Sequence, residues 1–147
     1  MKKRILIADD EARVRLIMHD SLQKFGDEYE VVTASNGVEA LRHMEDRSFD
    51  LLITDVRMPR MNGVELTRAI GEMYPDTEVV WMTAYGCQKT VTQGMELRVR
   101  RCLDKPIEIA EIRQVVREVL EWRTRRPQRV RVPRVPRVPE EEPMYVP

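Results

Sequence analysis

The chain has 147 residues, of which 42% are hydrophobic and 34% are charged, a composition that allows one domain with a buried core and a tail. Basic and acidic residues both number 25, so the overall charge argues neither for nor against a nucleic-acid partner. The first apolar run covers only residues 5–8, which is too short for a signal peptide or a membrane span. We therefore expect a cytoplasmic protein.

Charge and proline are distributed unevenly along the chain. Residues 1–123 hold 19 basic and 22 acidic residues, whereas residues 124–147 hold 6 and 3. Six of the nine prolines lie beyond residue 126, where the triplet Arg-Val-Pro repeats. Because so many prolines break any helical or strand period, we expect a folded domain at 1–123 and a basic, extended, disordered tail at 124–147.

The two cysteines, Cys87 and Cys102, have neither a C-x-x-C spacing nor metal ligands beside them. This pattern favours free thiols in a reducing compartment, with a disulfide as the less favoured alternative. We therefore expect both side chains to be unmodified.

The first third of the chain alternates strand-like and helix-like segments. Residues 5–8 form a short apolar run that ends at acidic residues, which predicts a buried strand. Apolar residues spaced by three and four over 14–25 predict an amphipathic helix, and Gly26 is placed to end it. Residues 29–34 predict a second strand, and the Ser-Asn-Gly turn after it can cap a second helix to about residue 47.

The middle of the chain repeats this alternation. Residues 51–54 are apolar or β-branched and run into Asp55, which predicts a buried strand that ends at an aspartate. A turn with proline, asparagine and glycine follows. The apolar residues from 64 to 70 predict a third helix, which should end near Pro75. Residues 79–83 predict the fourth strand.

The last third supplies one more strand between two helices. Residues 88–97 predict a fourth helix, although Gly94 lowers its propensity. Residues 101–103 predict a brief fifth strand, and residues 108–122 predict a last helix with one apolar face. Five strands alternating with five helices imply an α/β fold with a parallel sheet covered on both faces. Right-handed crossovers then make it a doubly wound open sheet.

Polar side chains follow the predicted strands at the edge where the carboxyl ends of parallel strands meet. They are three carboxylates, a hydroxyl and an ammonium, at Asp9, Asp10, Asp55, Thr83 and Lys105. Each has an ordinary alternative, such as an acid at a helix start or a surface lysine. Five such residues at matching strand ends nevertheless indicate a shared cleft.

The chemistry of that cleft follows from its charges. Two carboxylates about 4 Å apart repel by on the order of 4 kcal/mol at an effective dielectric near 20, so three together need a cation. Oxygen ligands without histidine or thiolate favour a hard ion, and an incomplete cage that keeps water favours magnesium. One carboxylate can then act as a nucleophile, while the ammonium and the hydroxyl hold the oxygens of a transferred phosphoryl group.

These motifs resemble the receiver domain of two-component response regulators over roughly residues 3–123. The residues that carry the resemblance are Asp9-Asp10, Asp55 with Met58-Pro59 and Asn62-Gly63, Met82-Thr83-Ala84-Tyr85, and Lys105-Pro106. The resemblance implies a flavodoxin-like (CheY-like) fold with strand order 2-1-3-4-5. It also implies that a phosphoryl group is received from the phosphohistidine of a sensor histidine kinase or a phosphotransfer protein.

The resemblance assigns roles position by position. It implies that Asp55 is the phosphoryl acceptor. It implies that magnesium is held by Asp10, by Asp55 and by the backbone carbonyl of Arg57, while Asp9 acts through water.

On the other side of the cleft, the resemblance implies that Thr83 and Lys105 contact the phosphoryl oxygens, with a cis peptide bond after the lysine. Two positions depart from the family. Cys102 stands where members have an aromatic residue that moves with the threonine, and Tyr85 is an alternative source of an aromatic ring. Arg98 stands at a family glycine, and the arginines around it predict a salt-bridged surface.

The leading hypothesis is a single-domain response regulator that acts as a phosphorylation-dependent switch through protein contacts. It would catalyse only its own phosphorylation and dephosphorylation. One alternative is a phosphatase or phosphotransferase with an aspartyl nucleophile, although such enzymes commonly carry a second acid two residues later, where Arg57 follows Asp55. Another is a protein that binds through its Arg-Val-Pro tail. We expect no nucleic-acid or membrane partner, and dimerisation on phosphorylation stays open.

Overall fold

The computed structural model describes residues 2–24 and 28–126, and within these ranges five parallel strands form one sheet. The strands are β1 (Lys3–Ala8), β2 (Tyr29–Ala34), β3 (Leu51–Asp55), β4 (Glu78–Thr83) and β5 (Arg101–Asp104). Their spatial order is β2-β1-β3-β4-β5, which confirms the predicted order.

Helices cover both faces of this sheet, as predicted. They are α1 (Ala12–Gln23), α2 (Gly37–Asp46), α3 (Gly63–Met73), α4 (Val91–Glu96) and α5 (Ile109–Arg125), with a 3-10 helix at Cys87–Thr90 before α4. Alternation along β1 shows how the sequence builds two layers, because Ile5 and Ile7 pack with α1 and α5 while Leu6 and Ala8 pack with α2 and α3.

Two asparagines fix where helices begin after strands. The side chain of Asn36 accepts a hydrogen bond from the backbone N–H of Glu39 at 2.9 Å, which caps α2 as the turn sequence predicts. Asn62 accepts from the N–H of Glu65 at 2.8 Å, and the Glu65 carboxylate accepts from the N–H of Asn62 at 3.3 Å. This capping box sets the start of α3 just beyond the end of β3.

The start of α3 lies directly against the backbone of Asp55. The N–H of Gly63 donates to the carbonyl of Val56 at 2.9 Å. A Cβ at position 63 would collide with the Asp55 carbonyl oxygen and would lie 2.9 Å from the Val56 Cα. A glycine is therefore required here, because only the bare Cα lets the helix approach the residue that ends β3.

The segment between β4 and β5 differs from the single helix predicted at 88–97. It consists of the 3-10 helix and then the short α4, and Gly86 before it has a φ of 91°. A Cβ at Gly94 would lie 3.6 Å from the ring of Trp81, which is fully buried. That distance is an ordinary van der Waals contact, so the structure does not explain why a residue with low helix propensity stands inside α4.

The expectation of free thiols is wrong, because Cys87 and Cys102 form a disulfide. Their Cα atoms are 5.8 Å apart although the residues are 15 apart in sequence. Cys87 begins the 3-10 helix that follows β4, and Cys102 lies on β5, the neighbour of β4. They meet because β4 and β5 are neighbours in the sheet. The spacing of the two cysteines in the sequence does not indicate that these strands are neighbours.

Ion pairs cover the edge of the sheet opposite the acidic strand ends. The buried Glu78 accepts from Arg100 at 2.9 Å and from Arg126 at 2.5 Å, and Arg101 pairs with Glu118 at 3.2 Å. These pairs agree with the predicted salt-bridged surface. The helix α5 ends at Arg125, two residues beyond the predicted domain boundary at 123. The predicted extended tail at 124–147 lies outside the described residues from residue 127 onward, and so does the predicted helix stop at Gly26.

The close approach of α3 to β3 predicts opposite effects for two glycine substitutions. Gly63→Ala should lower the free energy of unfolding by about 1–3 kcal/mol, because backbone atoms occupy the space that the new methyl group needs. Gly71→Ala, in the same helix with open space around it, should raise that energy by roughly 0.5–1 kcal/mol. Urea denaturation followed by tryptophan fluorescence measures both, and equal effects would contradict the packing described.

Candidate functional site

Three carboxylates converge at the carboxyl edge of the sheet. Asp9 and Asp10 follow β1, and Asp55 ends β3, the neighbour of β1. One oxygen of each carboxylate lies within 4.8 Å of the others. Asp9 is fully buried and Asp55 is 7% exposed, whereas Asp10 faces solvent. The cluster therefore has a buried floor and an open side.

Lys105 reaches into this cluster from the end of β5. Its Nζ donates to Asp9 Oδ2 at 2.7 Å and to Asp55 Oδ2 at 2.9 Å. The carboxylate of Glu11 lies 3.9 Å from the same ammonium. The lysine side chain is only 12% exposed, so the ammonium exchanges most of its water for carboxylate oxygens.

Burial and ion pairing shift the pKa values of Asp9 and Lys105. Burial raises the pKa of Asp9 above its usual value, while the hydrogen bonds from Lys105 and from the Glu11 N–H act against that shift. Burial lowers the pKa of Lys105, but the hydrogen bonds to Asp9 and Asp55 outweigh it, so the net shift is upward. The ammonium therefore stays charged at neutral pH.

Backbone groups orient the two buried carboxylates. The N–H of Glu11 donates to Asp9 Oδ1 at 2.8 Å, and the N–H of Arg57 donates to Asp55 Oδ1 at 3.3 Å. In both cases the donor lies two residues after the aspartate, in the turn that leaves the strand. One oxygen of each carboxylate is thus held by the turn, and the other faces Lys105.

Thr83 ends β4, between the strands that supply Asp55 and Lys105. It is 2% exposed, and its hydroxyl accepts a hydrogen bond from the N–H of Tyr85 at 3.1 Å. The N–H of Lys105 donates to the Thr83 carbonyl at 2.8 Å. Asp55 is in register with Met82, so Thr83 lies one residue beyond the acidic strand end.

The donor set fits magnesium. The carboxylates of Asp9, Asp10 and Asp55 are hard oxygen ligands without a nearby histidine or thiolate, and such a set suits a small hard cation that keeps some of its water. Arg57 lies two residues after Asp55, and the role of its carbonyl as a further ligand stays a prediction. The Lys105–Pro106 peptide bond is cis, as the resemblance implies.

Two features of the site were not predicted from the sequence. The guanidinium of Arg57 stacks over the ring of Tyr85 at 3.9 Å from its centroid, although Arg57 was singled out only for its carbonyl. A cavity of about 550 Å³ lies beside this pair, bordered by Thr83 and Gly86. In the sequence, Arg57 lies two residues after Asp55, and Tyr85 lies two residues after Thr83. This matching position after neighbouring strands is the only signal for their contact.

A family model for the response regulator receiver domain matches residues 5–117. The chain belongs to this family. Receiver domains are signalling switches of two-component systems that interact with histidine kinases or phosphotransfer proteins, and aspartate phosphorylation with magnesium is general among them. In residues 2–24 and 28–126 of this receiver domain, no helix is long and apolar enough to cross a membrane.

Curated relatives of this receiver domain include short and long proteins. Sporulation initiation phosphotransferase F of Bacillus subtilis (strain 168) is 32% identical over 120 residues, which cover 82% of this chain and 95% of that protein. The response regulator receiver protein CpdR of Brucella abortus (strain 2308) is 30% identical over 118 residues, covering 80% and 97%. The DNA-binding transcriptional regulator NtrC of Azospirillum brasilense is 33% identical, but the match covers 24% of its length.

Solved structures agree with the fold. A CheY-like receiver domain protein from Methanospirillum hungatei JF-1 superposes with a TM-score of 0.79 at 25% identity, covering 84% of this chain and 98% of that one. The response regulator TrrA from Thermotoga maritima, solved with Mg²⁺ and BeF, has a TM-score of 0.71 at 31% identity and covers 80% and 98%.

The position of Lys105 predicts a pH-dependent loss of stability when it is removed. Lys105→Met should lower the free energy of unfolding by about 2 kcal/mol near neutral pH, because Asp9 and Asp55 lose a shared charged donor. Since the folded-state pKa of Lys105 is raised, its stabilisation is fully present below about pH 10.4 and is lost as pH rises through that folded-state pKa.

The measurement is urea denaturation of both proteins across the alkaline range. The difference in the free energy of unfolding between the wild type and Lys105→Met should become smaller as pH increases. Lys89→Met, at an exposed lysine of the 3-10 helix, is the matched control and should leave stability nearly unchanged. A difference in unfolding free energy that does not depend on pH would contradict the described ion pairs. A loss of equal size for Lys105→Met and Lys89→Met would also contradict them.

Proposed function

We propose that this receiver domain is a phosphorylation-dependent switch in which the Asp55 carboxylate accepts a phosphoryl group from a histidine of a sensor kinase or phosphotransfer protein. The observation that carries the proposal is the Lys105 ammonium, which donates to Asp55 and Asp9 beside a carboxylate cluster suited to magnesium. A nucleophile, a phosphate-binding cation and a metal-binding set then lie at one sheet edge.

Asp55 is the best placed nucleophile of the three acids. Its side chain is 10% exposed, so an incoming phosphorus atom can reach it, whereas the Asp9 side chain is fully buried. Asp10 is open to solvent, but within the described residues Lys105 forms its ion pairs with Asp9, Glu11 and Asp55. Only Asp55 combines access with a bond to the ammonium that would hold the phosphoryl oxygens.

The transfer forms one bond and breaks another. An oxygen of Asp55 attacks the phosphorus atom, the phosphorus–nitrogen bond to the donor histidine breaks, and the imidazole leaves with the electron pair. Lys105 Nζ, already 2.9 Å from Asp55 Oδ2, donates to one phosphoryl oxygen, and the Thr83 hydroxyl donates to another.

Magnesium supplies charge neutralisation at this site when it is bound. Asp10, Asp55 and the Arg57 carbonyl would hold it, and Asp9 would contribute through water. The buried Asp9 also accepts from Lys105, so it keeps the ammonium beside the reacting carboxylate. Asp10 would therefore bind magnesium and Asp9 would position the Lys105 ammonium, and neither acid would react with the phosphorus atom.

A groove beside Lys105 supports docking of a protein donor. It has a volume of about 420 Å³ and is lined mainly by apolar residues of α1 and of the turn after β5. Leu16 and Ile17 on α1 are 61% and 47% exposed. Ile17 lines this groove together with Lys105, and exposed apolar side chains at such a groove are typical of a surface that a partner covers.

The product would change the charge of the surface around the site. An aspartyl phosphate adds up to about two negative charges, which bias the nearby loops and the surface of α4, β5 and α5 between two arrangements. Output would then pass through protein contacts, and the chain would catalyse only its own phosphorylation and dephosphorylation. A cytoplasmic location stays a prediction that follows from the proposed donor, because the disulfide removes the argument from free thiols.

Incubation with acetyl phosphate and magnesium should add one phosphoryl group to the wild type. Asp55→Asn should gain none, because its amide cannot form the anhydride, and Asp10→Asn should react more slowly because a metal ligand is lost. Removal of magnesium with a chelator should suppress the adduct in every variant. Intact-mass spectrometry measures the phosphorylated fraction.

Asp46→Asn, at an exposed acid that ends α2 and lies outside the carboxylate cluster, is the matched control and should react like the wild type. An undiminished adduct on Asp55→Asn would refute the assignment of the nucleophile. Sustained multiple turnover of a generic phosphate ester would instead favour the phosphatase alternative.

A further inference from the structure

The disulfide joins the two chain segments that lead to the phosphate-binding side chains. Cys87 lies four residues after Thr83, and Cys102 lies three residues before Lys105. On β5, Cys102 lies two residues before the end of the strand, so the disulfide joins β5 to the 3-10 helix that follows β4, close to the reacting edge. A change in this bond therefore acts close to both groups.

We propose that Cys87 and Cys102 form a reversible thiol–disulfide modification site that controls phosphorylation of Asp55, with the dithiol as the form that favours the phosphorylated state. The inference rests on the proposed function and adds a chemical input to it. The oxidant and reductant belong to the class of small disulfides and thiols, such as the oxidised and reduced forms of glutathione.

The disulfide lies in a part of the surface that is not fully buried. Both cysteines are partly exposed, and Cys87 is followed by the exposed Gln88 and Lys89. A thiolate attacks one sulfur, a mixed disulfide forms, the bond between the cysteines breaks, and the other cysteine leaves as a thiolate that takes up a proton. A second thiolate then releases the reagent as its own disulfide, so the pair gains two electrons and two protons in total.

The segment that the disulfide holds is packed weakly. All residues of the 3-10 helix and of α4 are described, and among them only Gly94 is buried. Val91 and Met95 of α4 are 51% and 75% exposed. Apart from the disulfide, the 3-10 helix contacts β5 through the Cys87 N–H, which donates to Asp104 Oδ1 at 2.8 Å, and through the Thr90 hydroxyl, which lies 4.0 Å from Cys102 Sγ. Such a segment lies at the low-stability end of a fold, so loss of the covalent link should loosen it.

Residues 84–86 connect Thr83 to Cys87, so the disulfide at Cys87 also restricts the movement of Thr83. The Thr83 hydroxyl accepts from the N–H of Tyr85, so its surroundings change whenever this short connection moves. The cavity of about 550 Å³ bordered by Arg57, Tyr85 and Gly86 provides room for such movement. In the disulfide form the far end of the connection is fixed to β5. The dithiol therefore allows Thr83 to adjust to a phosphoryl group on Asp55 more readily.

The test compares the wild type as disulfide and as dithiol, with each state verified by thiol alkylation and intact mass. Affinity for beryllofluoride in the presence of magnesium, measured by calorimetry, should be at least about fivefold higher for the dithiol. The steady-state phosphorylated fraction with acetyl phosphate should be higher in the same form. By linkage, bound beryllofluoride should shift the thiol–disulfide equilibrium with glutathione toward the dithiol by the same factor.

Cys87→Ser and Cys102→Ser are the matched controls, because neither can form the bond. Each should behave like the dithiol in oxidising and reducing buffer alike, and if one fails to fold the other suffices. Equal beryllofluoride affinity and equal phosphorylation of the two wild-type forms would overturn the inference while leaving the proposed function intact. A disulfide that glutathione does not reduce in the folded protein would also overturn it. Failure of both forms to take up a phosphoryl group would instead refute the proposed function beneath it.

Discussion

The ammonium of Lys105 between the carboxylates of Asp9 and Asp55 is the interaction around which the rest of the site is arranged. At 2.7 and 2.9 Å it offsets the repulsion of two acids that are nearly removed from water. The three residues are separated by 46 and by 50 positions in the chain, and only the strand order β1-β3-β4-β5 brings them together. The strand order therefore holds one cation against two anions at a single edge of the sheet.

Stability is distributed unevenly around that centre. The strands β1 and β3 are buried from Ile5 to Ala8 and from Leu51 to Asp55, and Gly63 lets α3 begin in contact with the backbone of Asp55. The opposite edge is closed by the ion pairs of Glu78. In the 3-10 helix and α4, in contrast, only Gly94 is buried, and the disulfide links the 3-10 helix to β5. A rigid floor with one loosely packed border is the arrangement that a conformational switch requires.

Much of this architecture could be predicted from the sequence because its signals are local. The apolar run into Asp55 and the alternation of strand and helix periods identify the fold, and the polar residue after each strand identifies the site. The disulfide, the division of the fourth helix and the stacking of Arg57 on Tyr85 could not be predicted in the same way. They arise from neighbours across strands and loops, and no short-range pattern of residues specifies which side chains will meet there.

The identity of the acid that reacts, among three adjacent acids, decides the chemistry of this site. Borohydride reduces an aspartyl phosphate to homoserine, so treatment of the phosphorylated protein followed by peptide mapping identifies the modified position directly. The geometry predicts homoserine at position 55 alone, with Asp9 and Asp10 unchanged, because Asp55 is both reachable and bonded to Lys105. Homoserine at position 9 or 10, or aspartate retained at position 55 in a protein that carries the phosphoryl group, would contradict it.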